Sequence, residues 1–157
     1  MKNNYQALTT SMETIMSENS LSRFEGTEWS GKGELWLDSD GNQVENYLCG
    51  LKIKTGVLDY TWLYEDETKE GKFTFVEGGT IWTDSWRQPE AVKCADVPYA
   101  WGLFTVAHSY EVPSSPAWGW QSKLSERPGG ILVLQMTNVT PWGEEGRAVR
   151  TVFTRTR

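Results

Sequence analysis

The chain predicts an all-β protein, an antiparallel up-and-down β-barrel of about nine or ten strands with an N-terminal α-helix. Three observations carry this expectation. After Phe24 apolar residues recur at every second position, the period of half-buried strands. Short connections rich in Gly, Asp and Pro separate these segments, and no helical period intervenes between them. Nine tryptophans occur among 157 residues, running from Trp29 to Trp142, which is far more indole than one packed core needs. A sheet built from so many sequential hairpins tends to close, because closure removes its edges. A β-sandwich is the structural alternative. It needs long crossovers, and only residues 88–99, with Pro89, Cys94 and Pro98, offer one.

The helix is placed over residues 3–19. Tyr5, Leu8, Met12, Ile15 and Met16 form one apolar stripe at three- and four-residue steps, with polar residues opposite. Such a helix is unstable alone and has to dock on an apolar surface, here one end of the barrel. Candidate strands follow at 28–37, 43–55, 57–65, 71–77, 79–87, 100–110, 117–125, 130–139 and 146–156. Between them lie turn signals at 38–42, 65–71, 77–79, 127–130 and 141–146. Gly50 and Gly56 mark candidate bends within or after the second strand. The segment 88–99 reads as a longer connection lying over an opening.

The length suits a single domain over residues 1–157, with the barrel over 26–157. Fifteen basic and 21 acidic residues give a net charge of −6, which repels phosphate backbones, so no nucleic acid is expected as a partner. The N-terminus lacks the apolar core of a signal peptide, and no apolar run approaches the roughly 18 residues that cross a bilayer. The expectation is therefore a cytoplasmic protein with no membrane partner. Cys49 and Cys94 have no metal-ligand spacing and read as thiols in a reducing compartment.

Alternation divides each strand into two faces without saying which one points inward. Tyr60, Trp62 and Tyr64 share a face, as do Trp82, Asp84 and Trp86, and so do Trp118, Trp120 and Leu124. Phe104, Val106, His108 and Tyr110 share another. For any single Trp, packing outweighs ligand contact. The set of mixed aromatic and polar faces, however, is how small-molecule pockets are built.

The segment Leu21–Trp36, with its Trp29-x-Gly31-x-Gly33 first strand, and the Asp84-Ser85-Trp86 element resemble the DUF1579-type bacterial proteins of the calycin, or lipocalin-like, superfamily. The resemblance spans about residues 21–156 and implies an antiparallel barrel without a settled activity. In many of those proteins a His follows Asp-Ser-Trp, whereas Arg87 stands there in this chain. In calycins generally a C-terminal Arg packs over the first-strand Trp and closes the base. The resemblance gives that role to Arg150 or Arg155 against Trp29.

His108 is the one histidine. On an apolar interior face, a neutral imidazole can act as a base or bind haem iron, and a hydrogen-bonded strand histidine is the simpler reading. Asp84, flanked by Trp82 and Trp86, is either a desolvated general acid or half of an ion pair with Arg87 or a C-terminal arginine. Arg150 on the last strand offers an inward guanidinium for a ligand carboxylate, with a surface position as the alternative. No cofactor is called for. The leading expectation is a binding protein for a small apolar or amphipathic molecule held in an aromatic-lined cavity. Its candidate contacts are Tyr60, Trp62, Tyr64, Trp82, Asp84, Trp86, His108, Trp118, Trp120 and Arg150. The alternatives are a lyase or isomerase using Asp84 or His108 as its catalytic group, and an interaction module that forms a homodimer through exposed indoles.

Overall fold

Ten strands follow one another as hairpins, each pairing with the next, and the last pairs with the first to complete a closed antiparallel barrel. The computed structural model describes residues 21–36, 44–98 and 100–157. The strands are β1 (Glu28–Trp36), β2 (Val44–Lys54), β3 (Val57–Tyr64), β4 (Glu67–Val76) and β5 (Gly79–Asp84). They continue as β6 (Gln88–Asp96), β7 (Phe104–Tyr110), β8 (Trp118–Arg127), β9 (Ile131–Val139) and β10 (Glu145–Arg155). The helix expected over residues 3–19 lies outside the described residues.

One element corrects the sequence reading. Residues 88–99, expected as a long connection, contain strand β6. Pro89, Glu90, Ala91 and Lys93 are exposed there, and the buried Cys94 is its main inward anchor, so the segment lacks the aromatic alternation that marks the other strands. Its ladder to β7 consists of two register pairs, Ala95 with Ala107 and Asp96 with Val106. With β6 in place every connection joins neighbouring antiparallel strands, and the crossover required by a sandwich disappears. The larger boundary shifts are that β4 begins at Glu67 rather than 71, β7 begins at Phe104 rather than 100, and β5 ends at Asp84 rather than 87, so that Trp86 lies in the turn and not on a strand face with Trp82 and Asp84.

The barrel interior has two unlike halves. The base is packed with Leu51, Ile53, Leu58, Phe73, Leu124, Leu132 and Phe153, all nearly inaccessible. Burial of each such side chain contributes about 1.5–3 kcal/mol relative to exposure. The segment Leu21–Gly26 turns across this end and lays Leu21 and Phe24 into it. Gly26 N–H donates to the Ile53 carbonyl at 2.8 Å, and the Phe24 ring meets Trp29 edge-on at 6.0 Å. The Trp29 indole N–H donates to Thr27 Oγ1 at 2.8 Å, and that hydroxyl in turn donates to the Phe24 carbonyl. Phe24 thus covers one side of Trp29. Arg155, the register partner of Trp29, is exposed and donates to the Arg157 carbonyl. Arg150 is paired with Glu34 on β1, away from Trp29.

The glycines of β1 have packing reasons. A Cβ on Gly31 would lie 1.8 Å from the Val152 carbonyl oxygen of β10, and one on Gly33 would lie 2.2 Å from the Tyr47 ring. Gly33 is flanked by Tyr47 on β2 and Thr151 on β10. The tyrosine therefore leans across it, and its hydroxyl sits 3.2 Å from Thr151 Oγ1.

Candidate functional site

The half of the barrel opposite the base is aromatic and polar. Three strands make its central structure. Tyr60 on β3 is opposite Gly71 on β4, and Gly71 is opposite Asp84 on β5. A Cβ on Gly71 would stand 1.9 Å from Tyr60 Cζ, so the missing side chain is what lets the phenol reach across. The Tyr60 hydroxyl donates to Asp84 Oδ2 at 2.7 Å and accepts the Trp82 indole N–H at 3.0 Å. Burial, followed by the adjacent Asp84 charge, pushes the Tyr60 phenol well above its ordinary pKa of 10.0, so it stays a donor.

Asp84 is completely buried. Its Oδ1 caps the turn into β6 by accepting the backbone N–H groups of Trp86 and Arg87, each at 2.9 Å. The same turn returns the Arg87 guanidinium to within 3.8 Å of Oδ2. That side chain is 11% exposed and lies over the Trp62 ring at 4.5 Å and the Trp86 ring at 5.0 Å. Its Nη1 faces Asp84, while its Nη2 is buried without a protein partner among the described residues. A carboxylate whose oxygens accept three donors serves as a structural anchor.

Arg87 forms one wall of a cavity of about 520 Å³ that opens at this end. Leu35, Trp36, Trp82, Trp86, Trp120, His108 and Tyr110 line the rest, with Gln88 and Ala148. Trp82 and Trp120 stack at 5.8 Å with planes 7° apart, and the His108 ring lies 5.5 Å from Trp82. His108 Nδ1 is 3.6 Å from Cys94 Sγ. Burial raises the thiol to about 11 and lowers the imidazole from its usual 6.5, so both are neutral near pH 7. Two neutral partners share one hydrogen across this contact, and the ring tautomer sets which of them donates. On the other side of Arg87 lies a small chamber of about 10 Å³, room for about one water, between Tyr47, Cys49, Trp62, Met136 and Thr151. A wider concavity of about 820 Å³ lies on the outer face of β2–β5. Its lysines are paired, Lys54 with Asp59 at 3.1 Å, Lys72 with Asp59 at 3.8 Å and Lys52 with Glu28 at 3.8 Å.

The sequence-predicted residues divide cleanly. Trp82, Trp86, His108 and Trp120 line the cavity directly. Tyr60, Trp62 and Asp84 form the buried layer that holds Arg87. Tyr64 stands at the rim, 5.7 Å from Trp86. Trp118 lies outside the lining, where it donates to Ser115 Oγ and meets Trp142 edge-on at 6.3 Å. Arg150 corrects the sequence reading. It alternates with the buried Val149 and Thr151, and its register partners are Glu34 and Gln135, so it lies on the outer face and cannot reach the interior. An extra residue at Ala148, where the register shifts between Arg147 and Val149, fixes this alternation. Leu35, Trp36, Tyr110 and the guanidinium of Arg87 were not among the expected contacts. The signal for Arg87 was the Asp84-x-x-Arg87 spacing around a tight turn bounded by Trp82 and Trp86.

Comparisons with known proteins add little to this geometry. No family model matches the chain. No curated protein matches it either. One solved structure, provisionally described as a thioesterase II from Thermobifida fusca, aligns over 94% of this chain and 86% of its own at 9% identity, with a TM-score of 0.23. A score that low carries no argument about fold or activity.

Proposed function

We propose that this protein binds one small, mainly apolar or amphipathic molecule in the aromatic cavity at the open end of the barrel. The observation that carries the reading is the 520 Å³ cavity walled by four indoles, a phenol and an imidazole. Apolar walls with a few placed polar groups are the usual composition of a ligand site. The packed base supplies a rigid floor, and the Tyr60–Asp84–Arg87 layer between the two halves fixes the deepest polar group. The outer faces carry Lys32, Lys52, Lys54, Glu70 and Lys72, which suits water around the barrel rather than lipid and fits the cytoplasmic setting. The same reading includes kinship with the DUF1579-type calycins, supported by the packing role of Gly31 and Gly33 in the Trp-x-Gly-x-Gly strand.

The test is a titration of intrinsic tryptophan fluorescence with decanoate, haem and naphthalene derivatives. A saturable change is expected for at least one class. Ala148→Trp, which places an indole in the lining, should abolish that change while the far-ultraviolet spectrum stays that of the wild type. Absence of any saturable response, or a response unaltered by Ala148→Trp, overturns the reading.

A further inference from the structure

The polar groups left without partners around the cavity are all of one kind. Arg87 Nη2, Trp120 Nε1 and Trp62 Nε1 are buried N–H donors with no protein acceptor among the described residues. Arg87 and Trp120 line the open cavity, while Trp62 and Arg87 line the small chamber behind it. Two of the acceptors nearby are occupied. Asp84 is taken by Tyr60 and two backbone amides, and Asn138 Oδ1 accepts the Tyr110 hydroxyl. A buried guanidinium cannot lose its proton to escape this situation, and an unsatisfied charged donor is costly to keep. The site is therefore complementary to an acceptor that the chain does not itself provide.

We infer that the ligand is a monoanionic carboxylate on an apolar or aromatic body, with Arg87 as its anion-binding residue and Trp120 as a second donor. This rests on the cavity being the binding site, as proposed above. Three observations favour a carboxylate over other acceptors. The guanidinium lies over the Trp62 and Trp86 rings at 4.5 and 5.0 Å, and its unpartnered Nη2 offers a charge-assisted donor to a carboxylate oxygen. One guanidinium, already close to Asp84 at 3.8 Å, is poorly matched to a dianion such as a phosphate monoester. The net charge of −6 opposes multiply charged ligands further. Trp86 is 45% exposed on the β5–β6 turn, and its indole is the side chain that gives way as the carboxylate reaches Nη2.

The experiment compares matched acid and neutral probes by isothermal titration calorimetry: decanoate against decan-1-ol, 2-naphthylacetate against 2-naphthylacetamide, and decyl phosphate as the dianion. In wild type each acid should bind about tenfold or more tightly than its neutral partner, and decanoate more tightly than decyl phosphate. Arg87→Met should bring the acid-to-neutral ratio close to one, and Trp120→Phe should reduce it by a smaller factor. Thermal unfolding of each variant checks that the barrel persists. Should Arg87→Met fail to fold, Arg87→Gln and Trp120→Phe carry the same readout. A wild-type ratio near one, or a ratio unmoved by these variants, overturns the carboxylate assignment while leaving the cavity reading intact. Preference for decyl phosphate overturns the monoanion. No binding by any probe overturns both inferences together.

Discussion

Tyr47 and Tyr60 each lean over a glycine on the adjoining strand to reach a polar side chain on the strand beyond. Tyr47 crosses Gly33 toward Thr151, and Tyr60 crosses Gly71 toward Asp84. The backbone solution is the same in both places, since only glycine leaves room for the ring. The chemistry at the far end differs. Tyr47 meets a neutral hydroxyl at 3.2 Å, a contact that ties β2 to β10 and goes no further. Tyr60 meets a buried carboxylate at 2.7 Å, and that carboxylate also holds the turn carrying Arg87. One bridge is a strut in the wall. The other converts the same strut into a support for a charge at the cavity, which is how a barrel wall becomes a binding site without changing its fold.

Removing the far-end group should separate the two bridges most strongly. Asp84→Ala leaves a buried phenol, two turn amides and the Arg87 guanidinium without their acceptor, and should cost about 3–5 kcal/mol. Thr151→Val removes one hydroxyl of similar volume and should cost about 1 kcal/mol. Urea midpoints at constant slope measure both changes. Comparable losses at the two sites would mean that Asp84 anchors nothing beyond Tyr60.

Filling the glycine gap gives the next largest difference. In Gly71→Ala the new methyl falls 1.9 Å from Tyr60 Cζ, and in Gly33→Ala it falls 2.2 Å from Tyr47 Cζ. Either ring has to move, at an expected cost of about 1–3 kcal/mol from overpacking alone. Displacing Tyr60 also breaks its bonds to Asp84 and Trp82, whereas displacing Tyr47 breaks a single bond. Gly71→Ala should therefore be the more destabilising, and the second mutation sharpens the contrast. Tyr47→Leu should restore part of the stability lost in Gly33→Ala, because the clash disappears. Tyr60→Leu should give no such rescue of Gly71→Ala, because Asp84 then lacks its donor. Rescue in both pairs would reduce the Tyr60 bridge to packing.

The same contrast explains what could be read from the chain beforehand. Alternation alone grouped Tyr60 with Trp62 and Trp82 with Asp84, because a side-chain period of two survives in any sheet. It could not say that Gly71 would bring these two faces together, since that depends on the register of two successive hairpins, which alternation within a strand does not set. Strand β6 was missed for a related reason. Its residues are mostly exposed and include Pro89, so it carries a weak periodic signal and is specified by its neighbours. Alternation left both faces open for Arg150, and the pairing of β10 with β1 and β9 puts Val149 and Thr151 inside and Arg150 outside. Arg87 drew notice only as a partner for Asp84. Its position between two indoles arises from a turn that Asp84 itself caps, which is a tertiary outcome of a four-residue segment.

The finest distinction between the bridges lies in alkaline solution. Burial raises Tyr47 to about 12 and Tyr60 well above the ordinary 10.0, with the Asp84 charge adding to the shift for Tyr60. Cys94 is raised to about 11 and Cys49 to about 12, again by burial. Each of these groups holds its proton longer in the folded state than in the unfolded chain. Below the unfolded pKa values both states are protonated and stability is at its full value. As pH rises past about 9 the unfolded thiols release protons first, and past about 10 the unfolded phenols follow. Stability then falls until the folded groups also ionise. Tyr47→Phe should flatten the decline between pH 10 and about 12 with little change at neutral pH. Tyr60→Phe should flatten it over a range that begins at the same pH and extends further. It should also lower the plateau at pH 7, because Asp84 loses its phenol donor. Urea unfolding at intervals from pH 7 to 11.5, read as the difference from wild type so that the thiols cancel, measures both effects. Profiles parallel to wild type above pH 10 would show that burial holds neither phenol neutral in the folded barrel.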